Sequence, residues 1–131
     1  YVGAADGSGL GNELKRTLAA TDKVRVVAPA QINGAQVLLD VLQEQREKVV
    51  VGLNSSGQVR EFQLRIRFQF KLRSRDGKEL IGPTEILQQR DISFNESAVL
   101  AKEAEEALLY RDMQTDIVQQ LMRRLAAVRS L

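Results

Sequence analysis

Residues 60–73 read Arg-Glu-Phe-Gln-Leu-Arg-Ile-Arg-Phe-Gln-Phe-Lys-Leu-Arg. Phe62, Leu64, Ile66, Phe68, Phe70 and Leu72 hold every even position, and Glu61, Gln63, Arg65, Arg67, Gln69, Lys71 and Arg73 hold the odd ones. Side chains on a strand alternate between its faces, so this pattern makes one side greasy and the other charged. A helix of period 3.6 would smear both kinds around its circumference. The stretch is a long, half-buried β-strand, and the rest of the chain has to cover its apolar face.

The cover is readable on both sides of it. Leu10, Leu14 and Leu18 recur at helical spacing behind Ser8, which predicts an amphipathic helix near 9–20 with Ser8 as N-cap. Thr21-Asp22 ends that helix, Val24 to Val27 is a short extended piece, and Ile32-Asn33-Gly34 is a turn. A second long strand is expected from Gln36 to Leu53. Val37, Leu39, Val41, Val49, Val51 and Leu53 share a parity, while the polar run Gln43–Lys48 breaks the apolar face and suits a bulge. With Asn54–Gly57 as the hairpin turn, a two-residue loop puts Glu44 opposite Arg67 and Asp40 opposite Lys71. Such cross-strand charge pairs contribute roughly 0.2–1 kcal/mol each.

Asp76-Gly77 makes the next turn, and residues 79–94 return as a third strand with Leu80, Ile86, Ile92 and Phe94 in one parity. Pro83 cannot donate to a ladder, which argues for an edge position or a bulge. Ser93-x-x-Glu96 has the form of a capping box. Beyond it Ala107, Tyr110, Met113, Ile117, Leu121, Leu125 and Val128 trace one stripe of a long helix, widened by Leu108, Val118 and Met122. Arg123, Arg124 and Arg129 suit the negative end of its dipole.

These elements amount to one α+β domain over 1–131: an antiparallel meander of three long strands, or four with a further one at the N-terminus, and two helices on one face. The two hairpin tips lie at opposite ends of the sheet. The third strand runs back toward the first tip, so Lys48, Arg60 and Lys102 are expected in one neighbourhood.

Composition narrows the chemistry. The chain of 131 residues has no cysteine and no histidine, so thiolate nucleophiles, zinc–thiolate centres and the commonest general base are missing. Glu103, Glu105 and Glu106 fall on an amphipathic helix with nothing to make a converging carboxylate pair. Gly7, Gly9 and Gly11 alternate without the strand and helix that frame a phosphate loop. No catalytic residue, metal site or cofactor is expected. No apolar run reaches the roughly 20 residues that span a bilayer. The chain opens on Tyr1-Val2-Gly3, which looks like the clipped end of something longer.

The net charge of +2 is far from that of a dedicated nucleic-acid binder. Its best signal is the row Arg65, Arg67, Lys71 and Arg73. One reading is a solvated face that discourages edge pairing. The other is a docking surface for a partner or an anion. Phe62, Phe68 and Phe70 point away from it, which speaks against stacking on single-stranded nucleic acid.

The run Gly57-Gln58-Val59-Arg60-Glu61-Phe62-Gln63 at a hairpin exit, together with Asn95-Glu96-Ser97-Ala98-Val99-Leu100-Ala101-Lys102-Glu103 and the helix end Gln120-Leu121-Met122-Arg123-Arg124-Leu125, resembles the LptE family. These are lipopolysaccharide-assembly lipoproteins of the Gram-negative outer membrane. The resemblance implies a non-enzymatic protein on the periplasmic side of that membrane. It would be held there by a lipidated N-terminal cysteine that this chain lacks. It would plug and help assemble the LptD β-barrel and bind lipopolysaccharide in transit. By the same resemblance Lys102 is a lipopolysaccharide contact. A second contact, an arginine in the family, falls at Ser55, with Lys48 and Arg60 near enough to take its role. Arg65, Arg67, Lys71 and Arg73 would face the barrel. Two rivals remain: a nucleic-acid-binding module using the Arg65–Arg73 face, and an interaction scaffold of another envelope assembly.

Overall fold

The computed structural model describes residues 1–4, 7–21, 25–53, 55–93 and 99–128. Its elements in order are β1 (Val2–Gly3), α1 (Gly9–Ala20), a 3-10 turn (Pro29–Gly34), β2 (Val37–Leu53), β3 (Val59–Ser74), β4 (Glu79–Ser93) and α2 (Val99–Ala126). The sheet runs β1-β2-β3-β4. Both hairpins are antiparallel, and β1 adds two residues parallel to β2, Val2 beside Leu39 and Gly3 beside Asp40. The architecture is the α+β meander expected. Val24, the Ser93–Glu96 capping box, Phe94, Asn54 and Arg129 lie outside the described residues. Residues 25–28 are irregular rather than a strand, and Ile32–Gly34 closes the 3-10 turn.

The alternation in β3 is realised as read. Leu64, Ile66, Phe68, Phe70 and Leu72 are buried, with Phe68 and Phe70 stacked at 5.9 Å between ring centroids. Over them lie Met113, Ile117, Val118 and Leu121 of α2, and Leu10, Leu14 and Leu18 of α1 complete the same core. The Ser8 hydroxyl accepts from the Gly11 amide at 2.9 Å, satisfying one of the donors that open α1. Both hairpin turns need a left-handed residue, supplied by Gly57 (φ +77°) and Gly77 (φ +90°). In the second turn the Ser74 hydroxyl donates to the Asp76 carboxylate, and this bond holds the Asp76 pKa below the usual carboxylate value. Among the described residues no helix is long and apolar enough to cross a membrane.

Two expectations are corrected. Asp40 does stand opposite Lys71, but Glu44 faces Phe68 and it is Gln45 that faces Arg67. The cause is a bulge: the ladder steps from Val41–Phe70 to Gln43–Gln69, leaving Leu42 without a partner. One extra residue exchanges the faces of everything after it. Glu44, Arg46, Lys48 and Val50 therefore share the helix side with Phe68, Ile66, Leu64 and Phe62. Val49, Val51 and Leu53 do not continue the parity of Val37, Leu39 and Val41. The second correction is in α2. Ala107 and Leu108 are exposed, and Leu109 and Tyr110 pack on the core instead. Pro83 sits at a second irregularity, since the ladder steps from Phe70–Thr84 to Leu72–Ile81, and β4 is also an edge strand.

The bulge explains the polar run of β2. Its residues rim the trough that holds the helices. Glu44 accepts from the Ser8 hydroxyl at 2.7 and 2.9 Å, and Arg46 donates to Gln114 at 3.2 Å while its guanidinium sits 5.0 Å from the centre of the Tyr110 ring. On the far rim Arg90 of β4 pairs with Asp116 of α2 at 2.7 Å. Charged heads thus border an apolar floor, with their stems against it. Removing Leu42 would restore a regular ladder without moving either half out of register. A Leu42 deletion is accordingly expected to unfold within about 1 kcal/mol of the parent in urea. A cost several times larger would refute the bulge.

Candidate functional site

The site grows out of chain connectivity. The end of β2, the start of β3, the end of β4 and the start of α2 all meet at one end of the sheet. Phe62 and Ile92 are a cross-strand pair and form an apolar floor there. Lys48 rises from β2 on one side, and Lys102, Glu103 and Glu106 descend from α2 on the other. With Ser93 they enclose a cleft of about 130 Å³.

The two ammonium groups in the cleft are held differently. Lys102 donates to the Ser93 hydroxyl and to Glu105, both at 3.0 Å. Lys48 pairs with Glu106 at 2.8 Å and lies 4.4 Å from the centre of the Phe62 ring, a cation–π distance. An ammonium carries three donors, so each lysine keeps at least one beyond the partners named here. The pairs are solvent-exposed, and ion pairs of that kind contribute only about 0–1 kcal/mol. An incoming anion can exchange for Glu105 or Glu106 at small cost. Nearby, the Tyr110 hydroxyl donates to the Glu47 carbonyl at 2.9 Å and ties α2 to β2. Burial, then the Glu106 charge, raises the Tyr110 pKa above its ordinary value, with Arg46 opposing, so the phenol keeps its proton at neutral pH.

Lys48 and Lys102 are brought together as the topology required. Arg60 and Ser55 are exposed at the same hairpin and do not line the cleft. Sequence reasoning missed the floor and the acidic partners. The shared parity of Phe62 and Ile92 was visible, but pairing them needs the β3–β4 register. Ser93 was read only as a cap.

The row of cations on β3 sits on the sheet face away from the helices, and its neighbours answer it. Arg73 pairs with Asp40 at 2.7 Å. Arg67 lies 3.3 Å from Glu85 and 3.8 Å from Glu47, and Arg65 lies 3.8 Å from Glu47. Carboxylates from β2 and β4 flank the arginines, so this face carries mixed charge rather than the one-sign field that nucleic acid favours.

Three solved structures share the fold. The NMR structure of an uncharacterized lipoprotein B from Nitrosomonas europaea superimposes with a TM-score of 0.84 at 35% identity, covering 97% of this chain and 81% of that one. The rare lipoprotein B from Shewanella oneidensis gives 0.76 at 21% identity, covering 96% and 92%. A minor lipoprotein from Acinetobacter baumannii gives 0.73 at 17% identity, covering 96% and 88%. No curated protein matches significantly. The family model described as lipopolysaccharide-assembly matches residues 1–125, nearly the whole of the domain built above. The chain belongs to the LptE lipopolysaccharide-assembly family.

Proposed function

We propose that this chain is a non-enzymatic lipoprotein of the outer membrane. In this reading it faces the periplasm, plugs and helps assemble the LptD β-barrel, and binds lipopolysaccharide on its way to the surface. Family membership supports the assignment, and one observation supports the ligand: Lys48 and Lys102 converge over the apolar Phe62–Ile92 floor. An amphipathic, anionic glycolipid needs both parts of that arrangement. The lysines would take its phosphates as charge-assisted hydrogen bonds, and the floor would take the start of its acyl chains. Arg60 and Ser55, at the same hairpin, would meet the same head group. Arg65, Arg67, Lys71 and Arg73, with their carboxylate partners, would meet the polar lumen of the barrel.

Lys102→Glu tests the reading directly. Charge reversal at an exposed position leaves the fold intact within about 0.5 kcal/mol. Lipopolysaccharide retention by the immobilised variant should fall tenfold or more, a change of about 1.4 kcal/mol per decade. Unchanged retention would remove Lys102 from the site, and failure of the chain to copurify with a large barrel protein would sink the plug.

A further inference from the structure

At the opposite end of the sheet, about 30 Å along β3 from the Phe62–Ile92 floor, the core is open. A cavity of about 420 Å³ lies there. Its floor is the buried Leu18, Leu39 and Leu72, and its walls include Val26, Val27 and Leu125. Well-packed interiors leave few voids larger than a water molecule, so this is no packing defect. Its volume falls within the roughly 300–1,000 Å³ of ligand pockets, which are also mostly apolar with few polar groups.

The polar part is equally specific. Arg25 is the one charged side chain in the lining, and no carboxylate lines the cavity. Arg25 is exposed and makes no ion pair among the described residues, whereas Arg65, Arg67, Arg73 and Arg90 all do. A greasy chamber with one uncompensated guanidinium selects an aliphatic tail carrying a negative head. We propose that this cavity binds a single-chain anionic amphiphile of the fatty-acid class. Its hydrocarbon lies over Leu18, Leu39 and Leu72, and its carboxylate is held by Arg25. The site is separate from the lysine cleft and does not depend on the lipopolysaccharide reading.

Dodecanoate is the probe, because it has neither sugar nor phosphate. Titrated into the methyl-labelled chain, it should give saturable shifts at Leu18, Val26 and Leu125. Arg25→Glu, an exposed change, should weaken dodecanoate about tenfold and leave dodecanol unchanged. Val27→Trp should fill the chamber and abolish both, with its melting temperature as the check on folding. Lys102→Glu should change nothing, so failure here and failure of the lysine cleft read out separately. The proposal is overturned by any of four results. These are no saturable shifts, shifts spread over the exposed Val50, Leu53 and Leu100, dodecanol binding as tightly as dodecanoate, or retention on phosphatidylglycerol vesicles without binding of monomeric dodecanoate.

Discussion

Phe68→Ala is expected to remove about 3–5 kcal/mol from the unfolding free energy, the usual cost of emptying a buried aromatic site. Phe68 is 1% exposed, stacks on Phe70, and stands between β2 and β4 at the centre of the sheet. Domains of this kind are stable by only about 5–15 kcal/mol, so the loss takes a large share of the total. Urea melts followed by circular dichroism measure it. Arg67→Ala is the paired control, one residue away on the other face, and should cost no more than about 1 kcal/mol. Equal losses for the two would mean that the faces of β3 are assigned wrongly.

Ile117→Asp is expected to be at least as damaging, above about 4 kcal/mol at pH 7, because it buries a carboxylate with no cation beside it. Ile117 is fully buried under the middle of α2. The loss should depend on pH in a fixed direction. Desolvation raises the folded pKa of such an aspartate above its unfolded value of about 3.9. The protonated acid is tolerated better, so the penalty relative to wild type is smallest below that value and grows as pH rises. Gln119→Asp, two residues on and exposed, should stay within about 0.5 kcal/mol at either pH. A pH-independent loss at Ile117 would show that the position is reached by water.

How much of this was legible follows from which signals are local. The faces of β3, the span of α1 with its Ser8 cap, and the Gly57 and Gly77 turns were all readable, because alternation, helical spacing and turn chemistry act over a few residues. The faces of β2 beyond Val41 were not. Nothing in Leu42 marks it as the extra residue, and the polar run after it reads equally well as a break or as a rim. In α2 the Leu108–Leu109 pair defeats periodicity, since either leucine fits a 3.6-residue stripe and only the trough decides between them. The convergence of Lys48 and Lys102 was readable from strand direction alone. Their carboxylate partners were not, and neither were the acids answering the arginine row, because these come from other elements. The cavity behind Arg25 left no trace in the sequence, since its walls are assembled where residues 25–28 cross the open end of the core.

The strand order has a consequence for the path by which the sheet assembles. β2, β3 and β4 are joined only by tight turns, so their pairings close short loops and can zip outward from Gly57 and Gly77. β1 is different: the bond from the Leu39 amide to the Tyr1 carbonyl closes a far longer loop for two residues of ladder. That lone parallel contact should be the last to form during folding and the first to open when the protein is pulled or heated.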